Sequence, residues 1–478
     1  MSTEVETKDA ADSELPAVPV VSATAQSEEP AAWRRRRYQV IAGVVAIALI
    51  AAFVANNFLA RQYSPAGAVS QYLGAIQSGN GTAAWTLIQV SAPTTKVDAN
   101  LTGRAALQAA FSSGKPDMKG FAITSTSNAT ASLAAVNFSY ETSGGTKQGT
   151  LGVERSGETS FGFYPVWRVV ITPALLDVVL PKGSPGVTID GKAVALPVGA
   201  KSIVAVLPLA HSIRFNGTQM LETQVVGVDA FSSLQQTVPY QPKFTSGGLD
   251  AARGAIKVAF DACAKSTSFR PDACPQTSDL PFGTSPQWQL VGDPLQDPAL
   301  TFDADLNPVA TGHFQMVVSY QEAGIDGTNH WPSSGGYKAA LVLTASGVTV
   351  NSVVSANDLG GLQRPDGATD QAAKDLVTKA FVTCASVKSP APADCPERLS
   401  SPDATNVSWA LSGDPLAGST VAFDQASGLF TLKGKFSMTS TYYVNGYQSG
   451  SPSYTTSYTA YLFWDGQALR LVTISGEF

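Results

Sequence analysis

RRRRYQVIAGVVAIALIAAFVANNFLAR, residues 34–61, is the stretch on which the reading of the whole chain turns. Arg34, Arg35, Arg36 and Arg37 open it, and from Gln39 to Ala60 no side chain is charged. A helix rises about 1.5 Å per residue, so a run of about 20 residues crosses a hydrocarbon core of about 30 Å. Residues 38–60 are therefore expected to form a transmembrane helix in contact with the lipid bilayer. The arginine block stands before the span and a single Arg61 after it. The positive-inside bias then puts the N-terminus in the cytoplasm and the C-terminus outside. Three other readings compete. A cleaved signal peptide needs a short basic leader and a small-x-small cleavage site. Here the arginines come only after residue 33, and Phe53 and Phe58 spoil the sites ending at Ala55 and Ala60. A twin-arginine export signal is loosely matched by Arg36-Arg37-Tyr38-Gln39-Val40. A buried soluble helix suits a charge-free run flanked by four arginines poorly, and the signal-anchor reading is preferred.

The composition agrees with an external location for the chain beyond Arg61. Charged residues are 14% of the 478, against about 25% in an average soluble chain. The net charge of −6 offers no basic patch for phosphate, so no nucleic-acid partner is expected. Residues 1–33 are acidic and nearly free of large apolar side chains, the composition of a disordered cytoplasmic tail. All four cysteines lie beyond the span, where paired cysteines form disulfides. A metal site is the alternative for them, but the chain has three histidines and no CxxC. No metal and no cofactor are expected.

The cysteines also expose a repeat. Cys263 and Cys384, Cys274-Pro275 and Cys395-Pro396, Trp288 and Trp409, and Gly292-Asp293-Pro294 and Gly413-Asp414-Pro415 all stand 121 positions apart. Two copies of one domain, 249–356 and 369–478 with a linker at 357–368, are the economical reading. Each copy opens with an apolar stripe at helical spacing (Ile256, Ala259, Phe260, Cys263; Val377, Ala380, Phe381, Cys384) and continues into strands. Because a duplicated domain carries its own staple, the spacing favours Cys263–Cys274 and Cys384–Cys395 over crossed pairings. Trp288 and Trp409 are expected on the first strand of each copy, under the helix.

Two further modules precede the repeat. In 64–172, SPAGAVSQYLGAIQSG begins a helix with Ser64 as N-cap and Pro65 at the first helical position. Short helices around TAAWTLI and GRAALQAAF follow, then period-two strands ending on PVWRVVIT. This order of elements resembles the nuclear transport factor 2-like superfamily. The resemblance implies a cone-like fold able to hold a pocket, in a superfamily of both enzymes and non-catalytic modules. Its enzymes place acidic or histidine side chains in the cone. This segment has no histidine, and Asp98, Asp117, Glu141, Glu154 and Glu158 fall mostly at turns or strand ends, so a non-catalytic role is expected. In 173–245, Asp190-Gly191 suits a type I′ turn between alternating strands. Ile189-Asp190-Gly191-Lys192, with Leu207-Pro208, His211 and Ile213, resembles the small PEGA-type β modules of bacterial surface proteins, although Leu209-Ala210 replace the glycine that often follows the proline there. His211 is read as a strand-edge residue facing solvent.

No GxSxG, P-loop, GxGxxG or HExxH motif occurs. Asp303-Ala304-Asp305-Leu306-Asn307 begins like a calcium loop but continues with Pro308 and Phe314 where glycine and glutamate belong. Gly-Asp-Pro reads as a strand-ending turn. Trp331 and the tyrosines Tyr443, Tyr447 and Tyr454 form a candidate contact surface. The expected fold class is thus an α+β multidomain ectodomain of helix-plus-antiparallel-sheet modules on a single transmembrane helix. The expected function is non-catalytic binding of an envelope protein or a cell-wall glycan at a bacterial cell membrane. An envelope enzyme with a pocket in a cone-like module, or a signal transducer using the acidic tail, is the alternative.

Overall fold

The computed structural model describes residues 31–113, 118–231, 233–344 and 346–477; most of the expected disordered tail, residues 1–30, lies outside them. The fold is mixed α and β, with six helices among the described residues. Helix α1 (Ala31–Gln62) contains a stretch, Arg35–Gln62, with a mean hydropathy of 2.4 over its most apolar window and none of that window buried against protein. Ile47, Phe53 and Phe58 stand open on its surface. Apolar side chains without a protein partner call for an apolar surrounding. The helix is long and apolar enough to cross a bilayer, as an anchor or as a signal sequence.

Its C-terminal end is tied to the first module. Helix α2 (Pro65–Ser78) starts on the Ser64 cap, whose hydroxyl accepts from Gly67 N at 3.0 Å, and Gly79 closes it at φ 73°. Val69, Tyr72, Leu73 and Ile76 lie on one buried face. With α3 (Gly81–Thr86) and α4 (Arg104–Ser113) they cover a five-stranded sheet in the order 88–90, 164–171, 145–160, 133–142, 120–128. Ile88–Val90 pairs in parallel with the last strand. Ala99–Leu101 instead leaves for the next module, pairing in parallel with Lys201–Val206. These two three-residue strands are too short to carry a period-two signal.

In the next module Val187–Ile189 and Lys192–Val194 form a hairpin whose turn residues, Asp190 and Gly191, have φ 51° and 76°, the type I′ signature. His211 does not face solvent. It is 6% exposed, with Nδ1 2.7 Å from Asp190 Oδ2 and Nε2 2.6 Å from the Leu207 carbonyl. Each ring nitrogen thus has a polar partner within hydrogen-bonding distance. Burial of this imidazole is possible because each nitrogen is satisfied, which corrects the expectation of an exposed edge residue.

The two disulfide units are built alike. Helices α5 (Ser246–Ala264) and α6 (Asp370–Ser386) start on Thr245 and Thr369 caps. Cys263 is bonded to Cys274 and Cys384 to Cys395, each pair with Cα atoms 5.7 Å apart. Each unit has a five-stranded antiparallel sheet with the same strand order. Trp288 Nε1 donates to Ser268 O at 2.8 Å and Trp409 Nε1 to Ser389 O at 2.9 Å, so each indole fastens the disulfide loop to the first strand. Tyr337 and Tyr458 are buried, stack edge-on against Phe260 and Phe381, and donate to Pro294 O and Pro415 O at 2.9 Å. The closest neighbours of Gly312 and Gly434 are those tyrosine rings, at distances where a Cβ would collide.

Candidate binding cleft

The two disulfide units meet through polar pairs that no local sequence pattern announces. The connection between strands Pro308–Glu322 and Asn329–Leu343 reaches the loop that carries Cys395. Asp326 N donates to Ala391 O at 3.0 Å, Ala393 N returns a bond to Asp326 O at 3.1 Å, and Ser389 Oγ donates to Asp326 Oδ2 at 2.6 Å. His330 N donates to Asp394 Oδ1 at 2.8 Å while its Nδ1 lies 2.5 Å from Oδ2. Trp331 meets Tyr461 across the same junction, with ring centroids 5.1 Å apart. The Asp394 carboxylate bonded to His330 raises the imidazole pKa above its ordinary 6.5, against the opposing effect of burial.

That shift has a definite sign. A raised folded-state pKa adds stability that is complete below about pH 6.5 and is lost as pH rises through the folded value. The pair is partly solvated, with side chains 38% and 29% exposed, so its contribution is under about 1 kcal/mol. Glu322 with Arg398 and Asp465 with Arg470 are the other charged groups around the junction. Hydrogen exchange at the Asp326 and Ala393 amides is expected to quicken as pH is raised past that transition, after correction for the intrinsic rate. His330→Gln should abolish the step, and a step that survives the substitution would assign it to another group.

Beside the junction lies a cleft of about 280 Å³ lined from both units. The first unit supplies Asp293, Asp297, His313 and Gln315; the second supplies Phe423 and Trp464. His313 is held from two sides of one carboxylate, with Nδ1 2.6 Å from Asp297 Oδ2 and its backbone N 3.3 Å from Oδ1. Among the described residues Nε2 has no protein hydrogen-bond partner. Asp293 uses Oδ1 to accept from Leu295 N at 2.9 Å, the turn chemistry expected of Gly-Asp-Pro, with Gly292 at φ 74°. Gln315 Nε2 donates to Gly428 O at 3.1 Å and so joins the walls. Gln296 and Gln363 add amides at the rim. Of the described residues lining the cleft, none is Ser, Thr, Cys or Lys. The lining thus offers the Asp297–His313 pair no serine, threonine, cysteine or lysine to activate, although the titratable groups that an enzymatic reading requires do converge here.

The residues singled out from sequence are dispersed. The four cysteines are in their two disulfides. Arg35, Arg36 and Arg37 are exposed on α1, and the side chains of Arg34 and Tyr454 lie outside the described residues. Tyr447 is 79% exposed at the tip of a hairpin and Tyr443 stands beside it, whereas Trp331 is turned toward Tyr461. Asp303 caps its own turn, accepting from the backbone N of Asp305 and Asn307. Cys384, Cys395 and Glu397 are the grouping of potential metal ligands found among the described residues, but the two sulfurs are bonded to each other. Asp297, His313 and Trp464 carried no signal in the sequence, since the cleft exists only once two units are docked. No protein-family model and no curated protein sequence matches this chain. The apolar helix and the disulfides together describe a membrane-anchored or secreted protein.

Proposed function

We propose that this chain is a single-pass, N-in and C-out protein of the bacterial cell envelope. Its tandem disulfide units, copies of one domain, bind a glycan or peptide segment of a wall or envelope partner without transforming it. The observation that carries the reading is the cleft between the units. Aromatic faces from Trp464 and Phe423 beside carboxylate and amide groups are the chemistry that binds sugar rings and their hydroxyls. Support for a retained anchor comes from the end of α1, which is bonded into the first module: Tyr164 donates to Asn56 Oδ1, and Gln71 Nε2 donates to Gln62 O at 3.0 Å. A segment destined for removal has no use for such bonds.

The test uses the full-length chain in detergent with cell-wall glycan fragments as probe. Binding is expected, and Asp293→Ala with Gln363→Ala should weaken it at least about tenfold, since each loses a hydrogen bond to a buried ligand group. Binding that is unchanged by both substitutions would remove the cleft from consideration, and capture of an envelope protein alone would point to the peptide class. The enzymatic reading is favoured by the Asp297–His313 pair. It requires fragments to be consumed in the presence of the wild-type chain and left intact by His313→Gln. A C-terminal tag that added protease cannot reach in intact cells would overturn the orientation.

A further inference from the structure

We infer that the hairpin tip at residues 161–163 dips into the outer face of the bilayer beside α1, so that the ectodomain is fastened to lipid at two points. This rests on the reading of α1 as a retained membrane anchor. Three observations place the tip at the interface. Tyr164, directly behind it, donates to Asn56, which lies inside the uncharged run that ends at Ala60, about 6 Å short of its end at the helical rise. Ser160 on the other strand donates to Tyr63 OH at 3.0 Å, and the Tyr63 and Tyr164 rings stack with centroids 5.5 Å apart. The cross-strand pair Ser160 and Tyr164, at the base of the tip, therefore sits beside the last turns of the span, at the level of Asn56 to Tyr63.

The tip itself carries Phe161 and Phe163, each 68% exposed. Its turn is chemically unusual within this chain. Asp190-Gly191 and Asn445-Gly446 fill two other turns with φ near 51° and 76–81°, using the residue types that tolerate the left-handed region. Phe161-Gly162 adopts φ 53° and 80° with a phenylalanine in the first place. A bulky residue held where asparagine or aspartate is preferred has been placed there for its side chain, not for the turn. Along the hairpin itself the nearest charges are Glu158 and Arg168, which pair with each other at 3.2 Å. Glu158 stands three positions before Phe161, leaving a charge-free tip about 10 Å long. Interfacial segments bury about 5–10 Å into the headgroup and acyl boundary. Aromatic side chains at that level, with the half-buried Tyr63 behind them, are what the boundary favours.

All four cysteines are in disulfides, so an introduced thiol can be labelled alone. Full-length Phe161→Cys and Phe163→Cys carry an environment-sensitive fluorophore in vesicles of phosphatidylcholine and phosphatidylglycerol, with Ile47→Cys and Phe282→Cys as references. Labels at 161 and 163 are expected to lose quenching by aqueous iodide and to be quenched by a nitroxide near the lipid headgroup, while the label at 282 shows the reverse. If 161 and 163 quench with iodide as 282 does while 47 is quenched only from lipid, the anchor stands and the second contact is wrong. If 47 is also open to iodide, the anchor reading fails and this inference falls with it.

Discussion

His211→Ala is expected to destabilise the module around residues 173–245 by about 2–5 kcal/mol, because it strips two buried polar groups of their hydrogen-bond partner at once. The pair lies deep: the side chains of His211 and Asp190 are 4% and 5% exposed. Asp190 is committed in both directions, taking His211 Nδ1 on Oδ2 and the Ser212 backbone N on Oδ1 at 2.9 Å. It also sits in the left-handed region at the hairpin turn, so the same residue shapes the turn and anchors the neighbouring strand. Alanine removes the partner of Asp190 and the partner of the Leu207 carbonyl together. The alternative of a solvated histidine would put the change within about 0.5 kcal/mol. Denaturant unfolding of wild type, His211→Ala, Asp190→Ala and the double variant distinguishes the two. A double variant costing less than the sum of the singles is required by the pairing, whereas additive small effects would refute it.

The position of His211 is available in the sequence, because it shares strand parity with Ile213 and Phe215, and all three are buried. A histidine's polarity masks its phase, and the partner that makes burial possible is 21 residues earlier. The N-caps, the Asp-Gly turn, the indoles on the first strands and the cysteine spacing are legible because each is a local or periodic feature. Strands Ile88–Val90 and Ala99–Leu101 are not, since they exist through parallel pairing with segments about 80–100 residues away. The cleft is equally hidden. His313 needs Asp297 across a turn, and Trp464 reaches it from the other unit. Contacts of that kind come from docking, which leaves no spacing in one chain segment to read. An acidic residue can be marked, however, by comparing like positions in two like units, and Glu397 is such a case.

Glu397→Gln is expected to stabilise the second disulfide unit by about 3 kcal/mol at pH 8, with little effect at pH 4. Gln276 occupies the same place in the first unit, two residues after the second cysteine, and its Nε2 donates to Cys263 O at 2.9 Å. Glu397 is 3% exposed, and among the described residues neither carboxyl oxygen accepts a hydrogen bond from another residue. Burial pushes its pKa up from 4.5 to about 7, against a lesser opposing effect from its own backbone N–H. An acid whose folded pKa is raised contributes stability below its unfolded pKa and loses it as pH climbs through the folded value. The loss therefore falls between about pH 4.5 and 7.5, and at about 1.4 kcal/mol per pH unit it comes to a little over 3 kcal/mol at full ionisation. Below that window the neutral carboxyl carries an O–H in place of the amide N–H, so the two side chains are close equivalents. Glutamine cannot ionise, and its variant should show a nearly flat stability through neutral pH. The readout is hydrogen exchange of the α6 amides at pH 5 and pH 8, corrected for intrinsic rates, with α5 as the internal reference. Protection of α6 in wild type should fall relative to α5 at the higher pH, and the substitution should restore it. Equal protection in both proteins at pH 8 would mean that the carboxylate finds solvent or a cation there, and that burial does not govern its charge.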